Sequence, residues 1–174
     1  MEERDIRIGV TLGGRYRALP APVAFLLQRV VRPVVHRALR GVTLGVQAVV
    51  RNDAGHVLLI RQSYTPYWVF PGGGVDGGEP VAKAAVRELR EETNVEVRGD
   101  PQLFGVYSNF QNLPGDHVCL FTVPDWHLDH FPEPNREIID HQFFPVDGLP
   151  GATAGGVRRR LAEISGETPI SPEW

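Results

Sequence analysis

From residue 42 the chain alternates. Val42, Leu44, Val46, Ala48 and Val50 are apolar, with Thr43, Gln47 and Arg51 between them. A period of two marks a strand with one buried face. Asn52-Asp53-Ala54-Gly55 reads as a turn and residues 56–61 as a second strand, so a hairpin is expected. Pro66 marks a loop, Tyr67-Trp68-Val69-Phe70 a short aromatic strand, and Pro71-Gly72-Gly73-Gly74 a tight loop. The pattern then takes the period of a helix over residues 80–93, with Pro80 suited to the first helical position. Further strands are expected at residues 95–98, 102–110, 117–123 and 137–144, then a turn region at 145–150. Residues 153–164 read as a helix despite Gly155 and Gly156, and the last ten residues as a loose tail. Strands interspersed with helices predict an α/β domain built on a mixed sheet.

The first 40 residues have a different pattern. Residues 22–39 read as an amphipathic helix, with Gln28, Arg29, Arg32, His36 and Arg40 on one side and Leu27, Val30, Val31, Val34 and Ala38 on the other. Pro33 should kink or divide it, and Gly41 is a plausible stop. Between Ile6 and Asn52 there are eight arginines and no acid. Such a segment can pack on its own acidic domain or on a second subunit as a homodimer. It can also lie peripherally on an anionic membrane. The continuous apolar side and Pro33 favour packing within the protein.

Composition narrows the class. A chain of 174 residues, 42% hydrophobic, has room for one domain with a sizeable core. The net charge of −3 gives no electrostatic reason to expect nucleic acid. Cys119 is the only cysteine, so no disulfide forms within the chain, and the six histidines lack ligand spacing. No apolar run approaches the ~20 residues of a membrane span, and Arg29 and Arg32 break up any signal-like segment. These features point to the cytoplasm.

The run Arg87-Glu88-Leu89-Arg90-Glu91-Glu92-Thr93 carries the chemistry. At about 100° per residue, Glu92 falls about 40° to one side of Glu88 and Glu91 about 60° to the other. The three carboxylates therefore share a face. Ala82, Ala85, Val86 and Leu89 form an apolar stripe, and Lys83, Arg87 and Arg90 a basic one. Like charges at i,i+4 cost about 0.2–0.5 kcal/mol per pair. The face is therefore either a solvated acidic surface or a site for a hard divalent cation, which clustered carboxylates suit.

The flanks bear on that choice. Gly73 is followed by five residues and Glu79, then by seven residues and Arg87-Glu88-Leu89-Arg90-Glu91-Glu92-Thr93-Asn94-Val95. This resembles the Nudix box, G-x5-E-x7-R-E-U-x-E-E-x-G-U, where U is a bulky aliphatic. Asn94 stands in place of the final glycine, and a left-handed helix end accepts Asn next after Gly. The resemblance covers about residues 41–150. It implies an α/β/α sandwich with a mixed sheet over residues 41–165. The first 40 residues are then a helical extension and residues 166–174 a tail.

The resemblance also implies an activity: divalent-metal-dependent hydrolysis of a phosphoanhydride in a nucleoside diphosphate linked to some group X. Mg2+ or Mn2+ would be held by Glu88, Glu91 and Glu92, with the carbonyl of Gly73 as a further ligand. The implied catalytic residues are Glu91, Glu92, Arg87 as an orienting group, and Glu137 as an off-box base with Glu133 as its rival. Glu79 serves the helix N-terminus or lies near the metal. Arg61 is a candidate phosphate contact or a surface arginine. Tyr64, Tyr67, Trp68, Tyr107 and Phe110 are candidates for stacking on a base or for the core. Two other readings are a non-hydrolytic nucleotide-binding module on this fold and an isomerase of isoprenoid diphosphates. The isomerase would need Cys119 at its active site.

Overall fold

The structure is a computed structural model that describes residues 9–12, 15–18 and 41–174. The predicted helix at 22–39 lies outside the described residues. The chain divides into two compact units, Met1–Val42 and Thr43–Trp174. In the first unit, strands β1 (Gly9–Leu12) and β2 (Arg15–Ala18) pair antiparallel, with Leu12 opposite Arg15. No strand was expected there. The missed signal is Gly13-Gly14 between the two runs, a two-residue hairpin loop by composition.

In the second unit, β3 (Thr43–Val50) lies parallel to β8 (Asp116–Val123), and β8 pairs antiparallel with β7 (Gln102–Ser108). A second ladder joins β4 (Val57–Gln62) to β10 (Ile138–Phe144) and to β5 (Trp68–Val69), both antiparallel. The short β6 (Glu96–Val97) and β9 (Trp126–His127) pair with each other. Helix α1 spans Val81–Thr93 and α2 spans Gly155–Ile164.

The sequence pattern places the layers. Val46, Ala48, Val50 and Leu58 pack with Ala84, Ala85 and Leu89 of α1. Val49, Val57 and Leu59 point the other way, toward Val157 and Leu161 of α2. Strands covered on both faces read as continuous apolar runs, as Val57-Leu58-Leu59-Ile60 does. The domain is therefore an α/β/α sandwich around mixed and antiparallel strands.

The expected β3–β4 hairpin does not form. Its turn is present: Asn52 Oδ1 accepts the N–H groups of Ala54 and His56 at 3.1 and 3.0 Å. Pairing nevertheless stops after one bridge, Arg51 to Val57. The reason is competition for β3's second edge. The N–H of Ala48 donates to Pro71 O at 2.9 Å, that of Val46 to Gly73 O at 2.8 Å, and that of Val75 to Leu44 O at 2.9 Å. The glycine loop lies along β3 as an extended segment, and β4 takes β10 and β5 as partners.

The end of the chain is not a loose tail. Residues 171–174 run along β7, with the Ser108 N–H donating to Pro172 O at 2.8 Å and the Trp174 N–H to Ser108 O at 2.9 Å. What holds them is buried in α2. Arg160 Nη2 pairs with Glu163 Oε1 at 2.6 Å, and that carboxylate oxygen also accepts the Ser171 N–H at 3.0 Å. Tyr107 Oη donates to the other oxygen at 3.0 Å, and the Arg160 guanidinium lies 4.0 Å from the Tyr107 ring centre. Gly156 makes room for the tail: a Cβ there would stand 2.7 Å from Trp174 Nε1.

Candidate active site

Helix α1 does not present a separate acidic face. Its buried residues are Ala84, Ala85, Leu89, Glu92 and Thr93, so Glu92 belongs to the stripe packed on the sheet. Helix periodicity could not show that the covering layer extends over Glu92 while Glu91 stays exposed. The helix ends at Asn94 with φ 60°, and its N–H bonds to Arg90 O at 3.0 Å, as the left-handed reading required. Pro80 has ψ 134° and stands just before the helix, one position earlier than expected.

The glycine loop is fitted to the helix by close contact. At Gly72, φ is +149° and a Cβ would overlap the carbonyl oxygen of Val46. The Gly72 N–H donates to Glu92 Oε2 at 2.7 Å. At Gly73 a Cβ would lie 2.6 Å from Glu88 Oε1. The Gly73 carbonyl already accepts the Val46 N–H, which leaves one lone pair.

Arg87 ties loop and helix together. Its Nε and Nη2 grip the two oxygens of Glu79 at 3.0 and 2.9 Å, a two-pronged pair. Nη1 reaches Glu88 at 2.7 Å and Glu91 at 3.3 Å, and Nη2 also reaches Gly74 O at 3.0 Å. The hydrogen bond from Arg87 holds the Glu79 carboxyl below its ordinary range. Glu79 also accepts the Asp76 N–H at 3.3 Å, so it anchors the loop as well as the arginine.

Glu92 is 7% exposed. Besides Gly72, Gln62 Nε2 approaches its other oxygen at 3.5 Å. Among the described residues it has no cationic partner. Burial, aided by the charges of Glu88 and Glu137, pushes its pKa up to about 8 against the opposing bonds from Gly72 and Gln62. The backbone is pinned as well: His141 Nε2–H donates to the Glu92 carbonyl at 2.7 Å, and the imidazole stacks on Phe131. Gln62 and His141 were not foreseen. Both lie on strands, where nothing local marks a residue as facing a helix from another part of the chain.

Glu137 is exposed, just before β10. Its carbonyl accepts the Ser63 N–H at 2.8 Å, and Ser63 Oγ donates to Arg136 O at 2.7 Å. These bonds join the 63–67 loop to the Glu137 loop. Tyr64, which follows, is 70% exposed as a residue. Partial burial of its phenol, then the charges of Glu137, Glu92 and Glu88, push that pKa up. Arg61 pairs with Asp140 at 3.3 Å and lies 5.6 Å from the Trp68 ring centre. Trp68 and Tyr107 are core residues, whereas Tyr64, Tyr67 and Phe110 are exposed. Cys119 is buried in β8, and burial pushes its thiol up, so it offers no reactive group to an isomerase.

Carboxylates suit a hard divalent cation: Glu88 and Glu92 are both shielded, and Gly73 leaves the gap in which the Glu88 carboxylate rests. Among the described residues no three acidic, histidine or cysteine side chains, Glu88, Glu91 and Glu92 included, are grouped closely enough to hold a metal ion by themselves. Mg2+ does not need such a group, because it keeps several waters and takes one or two carboxylates plus substrate phosphates.

Comparison with known proteins agrees with this fold. The profile of the NUDIX domain matches residues 41–163. The chain is 30% identical over 156 residues to the RNA pyrophosphohydrolase of Psychrobacter sp. (strain PRwf-1), covering 76% of this chain and 90% of that protein. It is 36% identical over 110 residues to the ADP-ribose pyrophosphatase of Methanocaldococcus jannaschii, covering 62% of this chain and 64% of that one. The structure of a MutT Nudix hydrolase from Burkholderia pseudomallei superposes with a TM-score of 0.61 at 26% identity, over 70% of this chain and 97% of that one. The chain belongs to the Nudix hydrolase family, and it is an enzyme of the pyrophosphohydrolase class. Among the described residues no helix is long and apolar enough to cross a membrane.

Proposed function

We propose that this enzyme hydrolyses the phosphoanhydride of a nucleoside diphosphate linked to a further group, using Mg2+ or Mn2+ held by Glu88, Glu91 and Glu92. The observation that carries this reading is Glu92, a buried carboxylate with no cation beside it among the described residues, on a helix whose glycine loop is shaped to Glu88. A bound divalent ion would neutralise phosphate charge and lower the pKa of the attacking water. The Gly73 carbonyl can contribute its remaining lone pair.

The chain's own groups do the rest. Arg87 sets the spacing of Glu79, Glu88 and Glu91 and fixes the glycine loop through Gly74 O. Glu137, outside the helix and exposed, takes the proton of the attacking water. Its main-chain link to Ser63 and its influence on Glu92 support it over Glu133. Arg61 can turn from Asp140 to a phosphate oxygen, since that pair is long and about 40% exposed.

The test is phosphate release from a panel of nucleoside triphosphates, nucleotide sugars, dinucleoside polyphosphates and capped RNA, with Mg2+ and with Mn2+. At least one substrate should be turned over, and chelation should abolish the turnover. Activity that persists at full rate in chelator, or in Glu92→Gln, would sink the reading.

A further inference from the structure

Glu137 is exposed, yet both polar groups of its main chain are tied down. Its N–H donates to Asn135 Oδ1 at 2.8 Å, and its carbonyl accepts the Ser63 N–H at 2.8 Å. Asn135 Oδ1 also accepts the Ile138 N–H at 2.8 Å, and the Asn135 N–H donates to Ile138 O at 2.8 Å. An asparagine oxygen that accepts N–H groups two and three residues on closes a turn in place of the backbone. From the other side Ser63 donates twice, by its N–H to Glu137 O and by its hydroxyl to Arg136 O at 2.7 Å. The Glu137 backbone is therefore held on two sides, and only its side-chain torsions are left to vary.

Starting a strand explains only part of this. Ile138 is the first residue of β10 and is 2% exposed, so its N–H needs a partner. Arg136 and Glu137 precede the strand and are exposed, so water could serve their main-chain groups. Glu133 shows the contrast. It is exposed on the same loop, and among the described residues no hydrogen bond fastens its main chain. Fixing an exposed residue adds little to stability. A proton acceptor gains more, because it must stand within hydrogen-bond reach of the water, and a shift of about 1 Å can cost about 10²-fold in rate.

We propose that Asn135 and Ser63 are positioning residues for Glu137: they hold its main chain where the carboxylate can reach the attacking water. Neither touches the reacting atoms. Asn135 acts from the N–H side and Ser63 from the carbonyl side, and the two together lock the 63–67 loop to the turn at 135–138. The inference rests on Glu137 as the proton acceptor of the proposed reaction; the hold itself can be tested without turnover.

The experiment uses the whole protein with Asn135→Ala, Asn135→Asp or Ser63→Ala, each alone and combined with Glu137→Gln. Without metal or substrate, amide hydrogen exchange reads the hold directly. Asn135→Ala should speed exchange at Glu137 and Ile138 by about tenfold, with the melting temperature near wild type. On a substrate the enzyme turns over, Asn135→Ala should lower kcat by about tenfold and leave KM and Mn2+ affinity unchanged. Asn135→Asp keeps the acceptor oxygen and should recover most of both losses. Ser63→Ala removes the hydroxyl bond alone and should lower kcat less. In the Glu137→Gln background none of the three should slow the enzyme further. Unchanged exchange in Asn135→Ala overturns the hold. Full kcat despite faster exchange overturns the inference and leaves the turn as a start for β10. The same follows from an equal loss in the Glu137→Gln background, or from Asn135→Asp as slow as Asn135→Ala. Full turnover in Glu137→Gln overturns the proposed base itself. That result is distinct from a failure of Asn135 alone, in which Glu137→Gln is slow and Asn135→Ala is not.

Discussion

Helices α1 and α2 each bury a glutamate at the next-to-last position, Glu92 and Glu163. Both lie at the end of a helix that disfavours negative charge. Their surroundings differ. Glu163, 7% exposed like Glu92, is met by the Arg160 guanidinium, the Tyr107 hydroxyl and the Ser171 N–H. Glu92 is met by one strong N–H and a distant amide. A buried charge whose partners are complete does structural work, here holding a strand of tail. A buried charge left electrically open carries a standing cost, and such costs collect at functional sites.

The comparison predicts opposite results for the same chemical change. Glu92→Gln should leave the metal-free fold as stable or more so, since burial already holds this carboxyl largely in its neutral form, yet cut turnover by about 10³-fold or more, roughly 4 kcal/mol of barrier. Glu91→Gln should lose activity likewise. Steady-state rates and metal-free melting curves check both, and near-normal rates in the pair would erase the distinction. Glu163→Gln should do the reverse: it strands Arg160 and costs about 3 kcal/mol of stability, read by urea unfolding, with turnover at low temperature retained.

Glu137→Gln sharpens the contrast between an open site and its proton acceptor. Turnover should fall about 10²-fold, with Mg2+ affinity little changed because the helix carboxylates remain. If Glu133→Gln shows that loss instead, the two exchange roles.

The closed cluster also has a pH signature. Burial, and then the bond to Glu163, push the Tyr107 phenol up to about 12. A folded-state pKa above the unfolded value favours folding while both states are protonated. The contribution is therefore whole below about pH 10 and lost as pH rises toward 12. Melting temperature should fall over that window, and less steeply in Tyr107→Phe. The smallest effect is expected at Asn94→Gly. Relief of the left-handed φ should gain at most about 1 kcal/mol, less what is lost with the Asn94 Nδ2 contact to His130 O at 3.4 Å.

Local signals explain what could be read in advance. Periodicity placed α1 to within a residue, Asn94 marked its end, and the motif's resemblance pointed to Arg87 as a partner of the glutamates it contacts. What escaped was non-local. The Asn52 turn is a sound hairpin signal, but β3's edge goes to the glycine loop from twenty residues further on. Arg160 and Glu163 look like an ordinary i,i+3 surface pair, because nothing in α2 announces that Tyr107 and Trp174 will cover them. Gln62 and His141 reach Glu92 from two strands of the other ladder.

The strip of residues 71–75 along β3 has one more consequence, for behaviour at high concentration. A strand with one bare flank is a template on which another molecule can grow a sheet. Here the flank from Leu44 to Ala48 is sealed by the same glycines that approach Glu88 and Glu92. Substitutions that lift this strip, Gly72→Val above all, should therefore do more than blunt catalysis. They would uncover a sticky border and turn a merely inactive enzyme into one that polymerises.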